Sequence, residues 1–158
     1  MIKLKKNIFI IFLFLISLLS AIGIIFYYIK FDMNCNASYE KKITPERYAN
    51  GVISIIFFKE NIGISHVVGK VIDSGKVYSI NREIGFNYEI IDISKGMFKV
   101  KNSYLKTLPQ DNLPKNLDSE FNLDNSVEKS DYLIIKMINK NTYMLSSPVA
   151  PILLCVSA

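Results

Sequence analysis

Beyond residue 50 the chain alternates apolar and polar positions. The pattern is cleanest in KVYSINREIGFNY, where Tyr78, Ile80, Ile84, Phe86 and Tyr88 share one face. Ser79, Asn81, Glu83 and Asn87 form the other. Period two means a strand with one buried face. GVISIIFFKE and IGISHVVGKVI precede it, and MFKVKNSYLKTL follows the turn Ser94-Lys95-Gly96. The next strand, YEIIDIS, is separate or merges with its predecessor across a bend at Gly85. Asp73-Ser74-Gly75-Lys76 and Asn139-Lys140-Asn141 carry hairpin chemistry. DYLIIKMIN and TYMLSS flank the second of these. Pro148 and Pro151 keep the last segment out of a central strand, leaving Ile152 to Val156 as a short edge strand. The pattern predicts a mainly β domain of about six to eight antiparallel strands, a sheet, sandwich or small barrel. A lipocalin-like form follows if its aromatic walls enclose an apolar ligand. LPQDNLPKNLDSEFNLDNS breaks the alternation, and Leu113, Leu117 and Phe121 predict one short helical stretch in a long loop.

The N-terminus has a different pattern. Ile8 to Ile29 is an uncharged run of 22 residues. As a helix it reaches ~33 Å, enough for a bilayer core of ~30 Å. Lys3, Lys5 and Lys6 precede it, which places the N-terminus in the cytoplasm of a single-pass inner-membrane protein. Tyr27, Tyr28 and Phe31 suit the far interface. A cleaved signal peptide is the rival, but the run is long for a signal core. The expected organisation is a cytoplasmic tail at 1–7, a transmembrane helix at 8–29, a periplasmic stalk at 30–50 and a periplasmic β domain at 51–158. The polar segment DMNCNASYEKKITPERYAN, without a clean period, is the stalk.

The net charge of +5 changes meaning once it is located. Four lysines (Lys3, Lys5, Lys6, Lys30) flank the apolar run, and every acidic residue lies beyond it. The exported part is nearly neutral, so direct nucleic-acid binding is not expected. Export also gives the two cysteines a reading. An oxidising compartment favours a disulfide between Cys35 and Cys155, the alternative being two unrelated thiols.

Catalytic patterns are missing. His66 is the only histidine, which argues against a zinc site or a Ser-His-Asp triad, and no metal or other cofactor is expected. Asp111-Asn112, between Pro109 and Pro114, suits turn building. No phosphate loop or nucleophile elbow occurs, so the chain is expected not to be an enzyme. Arg82 is the exception to the apolar row. Either its stem lies over Ile80 and Ile84 with its head on a cross-strand carboxylate, a carbonyl or a barrel mouth, or Tyr78, Arg82, Phe86 and Tyr88 line a cavity or seam. In the second case Arg82 anchors an anionic ligand or a partner's carboxylate.

Taken in order, the features resemble a known family. A basic-flanked anchor is followed closely by Cys35, then by a Tyr-x-Ile-x-Arg-x-Ile-x-Phe-x-Tyr strand at 78–88. Pro109, Asp111 and Asn112 come next, and Tyr143, Ser146, Pro148 and Cys155 close the chain. This order resembles the FidL-like membrane proteins of enteric bacteria. The resemblance implies association with membrane-bound transcription regulators of the ToxR and CadC type. ToxS-like accessory proteins share the layout of tail, span and periplasmic β domain. They stabilise or tune the regulator, and some such pairs form a shared barrel that binds bile salts. The expected partners are therefore the membrane, such a regulator, and a small amphipathic ligand. With only seven residues before the run, an inward signal is expected to pass through a partner, by β-augmentation or barrel completion at an open sheet edge. The competing expectations are a free-standing ligand carrier and a structural envelope component.

Overall fold

The computed structural model describes residues 11–21, 23, 31–121 and 130–157. It divides into two compact units, with the boundary after Phe31. In the first, residues 11–21 form helix α1, whose apolar side chains Ile11 to Ile16, Leu18 and Leu19 are all exposed. Among the described residues no helix is long and apolar enough to cross a membrane. The tail expected at 1–7, and the rest of the span expected over 8–29, lie outside the described residues.

The second unit is a closed barrel of eight antiparallel strands, each paired with its sequence neighbours, and β8 with β1. They are β1 (Met33–Thr44), β2 (Arg47–Phe57), β3 (Ile62–Asp73), β4 (Lys76–Asp92), β5 (Met97–Thr107), β6 (Ser130–Asn139), β7 (Thr142–Ser146) and β8 (Pro151–Ser157). Helix α2 (Lys115–Phe121) lies between β5 and β6. It carries the helical stretch that the apolar spacing predicts, with Leu117 and Phe121 buried.

Three expectations need correction. The segment expected as a stalk over 30–50 is barrel wall, supplying β1 and the start of β2. Its inward residues Met33, Cys35, Ala37 and Tyr39 alternate with polar ones, but Cys35 and Ala37 are too small to make the row stand out as apolar. The segment expected as an edge strand, β8, instead closes the barrel between β7 and β1. Pro151 is tolerated as its first residue, where no ladder bond is lost. The open edge expected for a partner to complete is closed by this same strand. The Gly85 alternative resolves as one continuous strand β4, with a register shift against β5 between Gly85 and Phe86.

Local chemistry explains the turns. Between β3 and β4, Asp73 pairs with Lys76 across two residues, Ser74 and Gly75, with φ of 50° and 82°. Two left-handed residues in a two-residue loop match the twist of a hairpin. Gly63 is required by close approach: a Cβ there would fall 2.2 Å from the Phe86 ring, its cross-strand partner.

Strand direction defines two ends. The base holds the start of β1, the end of β8 and the turns after β2, β4 and β6. The other end holds the remaining turns and α2, and is called the lid end. The β1–β8 seam is short, with Cys35 opposite Ser157 and Asn36 opposite Val156. At that seam the Cys35–Cys155 disulfide forms, with Cα atoms 5.5 Å apart. It fastens the ring covalently where backbone pairing contributes least.

Candidate functional site

Strand β4 positions the four residues singled out from the sequence, and all four are on its inner side. They do not converge on one site. Arg82 belongs to an ionic cluster under the lid. Phe86 and Tyr88 belong to an aromatic layer near the base, and Tyr78 packs half-buried against the core at the lid end.

Arg82 is the one buried charged residue among those described, 5 % exposed. Its Nε donates to Asp111 Oδ2 at 2.8 Å and its Nη1 to Asp118 Oδ1 at 2.7 Å. Its Nη2 reaches Asp111 Oδ1 at 3.4 Å. The carboxylates come from the loop after β5 and from α2, rather than from the neighbouring strands. Asp111 also accepts from the backbone N–H groups of Asn81 at 3.0 Å and Leu113 at 3.2 Å. Asn112 Oδ1 accepts from the Ser79 amide at 2.8 Å, while its own amide donates to the Ser79 carbonyl. The Asp111-Asn112 pair therefore does more than build a turn. Its side chains continue the ladder along β4 where β5 has ended, and one of them is the arginine's counter-ion.

Burial works against both charges, and pairing outweighs it. The Arg82 guanidinium loses solvation, yet hydrogen bonds to Asp111 and Asp118 hold its pKa above the ordinary arginine value. Burial likewise pushes Asp111 up, but Arg82 and the amides of Asn81 and Leu113 bring its carboxyl below the usual range. Removing one partner from such a buried pair typically costs about 3–5 kcal/mol. The Tyr39 hydroxyl lies nearby, buried and without a hydrogen-bond partner among the described residues. Burial raises its pKa, and the Arg82 charge opposes that rise. The Tyr39 ring covers Gly51 and Gly69, a cross-strand glycine pair.

α2 completes the lid. Leu117 and Phe121 pack into a core with Ala49, Val67, Val71, Ile80 and Ile84. Arg47 links the lid to the wall, with Nε 2.7 Å from Asp73 and Nη1 3.0 Å from Glu120.

At the base, Phe57 meets Phe86 and Tyr88 edge-on, each at 5.0 Å between centroids. Phe98 joins at 5.9 Å from Phe57. The Tyr88 hydroxyl donates to the Phe58 carbonyl. Its pKa is raised by burial and by the charges of Asp32 and Glu60. His66, on β3, shares a hydrogen bond of 2.9 Å with Asn81 Oδ1. Among the described residues no three His, Cys, Asp or Glu side chains are grouped to hold a metal ion.

The described residues form several grooves. One of about 570 Å³ is bounded by Val100, Tyr132, Leu133, Pro148 and Ile152. Beside it the outward residues of β8 are bare: Ile152, Leu154 and Val156 are each more than half exposed. A second, of about 640 Å³, lies at the base between the β4–β5 turn and β6. A third, of about 440 Å³, is flanked by Glu89, Lys99 and Lys101. Sequence reasoning missed the apolar outer face of β8, although alternate Ile152, Leu154 and Val156 signal it. Treating β8 as an edge strand drew attention away from its faces.

A family model described as FidL-like putative membrane protein matches residues 69–155. The match covers β4 to β7 and nearly all of β8, including Arg82, Asp111, Asp118 and Cys155. No curated protein matches the chain.

Proposed function

The chain belongs to the FidL-like putative membrane protein family, and on that premise we propose that it is an anchored accessory protein without catalysis. In this reading residues 8–29 hold it in the inner membrane with the N-terminus inside, and the barrel lies in the periplasm. There the barrel stabilises or tunes a membrane-bound transcription regulator of the ToxR and CadC type by contact with the regulator's exported domain. The regulator's type comes from likeness of layout, an analogy of architecture.

The observation that carries the reading is the contrast between the barrel's inside and its outside. The inward positions that the sequence singles out on β4 near its middle are engaged with neighbours: Arg82 with Asp111 and Asp118, Phe86 and Tyr88 with Phe57. Outside, Ile152, Leu154 and Val156 stand bare beside the groove at Tyr132 and Pro148. A bare apolar face beside a groove is what a protein contact covers. Membrane anchoring has its own support in α1, whose apolar side chains are exposed on all sides, as suits a lipid surrounding.

The test is photo-crosslinking in cells that hold the full chain and the candidate regulator, with a photoreactive residue at Leu154 or, as control, at His66. A crosslink from position 154 alone supports the reading. Equal crosslinking from both positions, or none with the regulator, contradicts it. Saturable binding of an apolar ligand inside the barrel, with no regulator contact, favours a carrier instead.

A further inference from the structure

The base of the barrel carries a feature that regulator binding on β8 does not use. The turn after β4 lies against β6, with the Ile135 amide donating to the Gly96 carbonyl at 2.9 Å, and β6 runs on from there to its own turn. Apolar side chains stand bare on both: Ile93 is 55 % exposed, Met137 65 % and Ile138 55 %. Lys95, Lys136 and Lys140 stand among them, all exposed. One acidic residue, Asp92, offsets the three lysines; it lies 3.2 Å from Lys95. Hydrogen bonds from Ser94 and Lys95 hold Asp92 at a pKa of about 2, so it keeps its charge and counts fully against them. The balance on these two turns is still cationic. The groove between the β4–β5 turn and β6 is lined by both kinds of residue, Ile93, Met97 and Met137 with Lys95 and Lys136.

Exposed apolar tips interleaved with lysines are the composition of a surface that sits at a lipid headgroup boundary. The apolar tips enter the boundary, while lysine stems lie along it and their ammonium groups meet anionic headgroups. Chain length supplies the second argument. β1 begins at Met33 on this same base, four residues beyond Ile29. Four extended residues span at most about 14 Å. With residues 8–29 in the bilayer, the base starts within that distance of the membrane surface.

We infer that the β4–β5 turn Ile93–Gly96 and the hairpin tip Met137–Asn141 form a membrane-contact surface selective for anionic phospholipid. The inference rests on the anchoring stated above and extends it to the barrel itself. Contact at a second place, besides the anchor, limits how the barrel can swivel and so which side of β8 a partner meets.

The chain contains no tryptophan, which makes the test clean. Ile138→Trp and Val149→Trp are each reconstituted as full chain in vesicles of phosphatidylcholine with phosphatidylglycerol, with and without brominated acyl chains. Val149 stands on the lid-end turn after β7, 92 % exposed. Non-reducing mass analysis confirms the Cys35–Cys155 bond in both, as a check on folding. The Ile138→Trp indole is expected to emit further to the blue and to lose most of its emission to brominated lipid. The Val149→Trp indole is expected to keep its emission. Adding Lys95→Glu, Lys136→Glu and Lys140→Glu to Ile138→Trp should abolish the quenching. Equal quenching of the two tryptophan variants overturns the inference while the anchor stands, provided the chain resists alkaline carbonate extraction. Release by carbonate overturns the anchor and the inference together. Undiminished quenching in vesicles of phosphatidylcholine alone overturns the preference for anionic headgroups.

Discussion

The two ends of one barrel are held by different physics, and strand β4 contributes to both. Toward the base, Phe86 and Tyr88 pack edge-on against Phe57, and the Cys35–Cys155 bond fastens the seam nearby. Toward the lid, Arg82 reaches two carboxylates delivered by a loop and a short helix. The aromatic layer gains stability from apolar area and ring geometry, and is largely indifferent to pH and salt. The ionic cluster depends on keeping each charge paired, and on the loop that brings the partners. A strand of constant period can thus build a permanent end and a conditional one.

The largest expected effect is on the permanent end. Replacing Cys35 and Cys155 by serine opens a loop of 120 residues. The chain-entropy relation puts the loss at up to about 5 kcal/mol, read as a lower urea midpoint for the full chain in detergent. Phe57→Ala should cost about 3–5 kcal/mol by the same measurement, because the ring is fully buried and touches three others. A loss under about 1 kcal/mol would mean the layer is not packed as described.

At the lid, Arg82→Leu leaves Asp111 and Asp118 facing each other without their cation. It should cost about 3–5 kcal/mol, and Asp111→Asn with Asp118→Asn added should restore part of that loss. Failure of the added substitutions to restore anything would argue against uncompensated carboxylates as the cause. Acid should act at the same end. The Asp111 pKa is lowered in the folded state, so its contribution is complete above the unfolded value of ~3.9 and is lost as pH falls through the folded value. Protease nicking within 108–121 is therefore expected to rise on acidification before the base loosens. Smallest of all, Arg47→Ala removes solvent-screened pairs to Asp73 and Glu120, and should leave the urea midpoint almost unchanged.

How much of this could be read in the sequence follows the same division. The strands from residue 51 onward were legible, because bulky residues at period two leave a strong signal. β1 was not: its inward row is Met33, Cys35, Ala37 and Tyr39, and two of these are too small to mark a face. Closure was also hidden, since nothing local tells β8 that β1 is its neighbour. For Arg82, the sequence raised the question of a partner without supplying the answer. Asp111 and Asp118 lie 29 and 36 residues away, in a segment whose prolines and Asx residues read as a turn. Their pairing is a consequence of β5 stopping at Thr107, which leaves the β4 edge at Ser79 and Asn81 open to the loop. The disulfide was legible because a chain with two cysteines allows each one intramolecular partner.

Paired with Asp111 and Asp118, Arg82 is placed to hold the lid from inside. Hydrogen exchange on the full chain, comparing Arg82→Leu with the unsubstituted protein, tests it most directly. Faster exchange is expected only at amides that the clamp protects, those of Asn81, Asn112 and Leu113 and of α2, while Phe86, Tyr88 and Phe98 stay slow. Uniform acceleration through both ends, or no change at the lid, would contradict it.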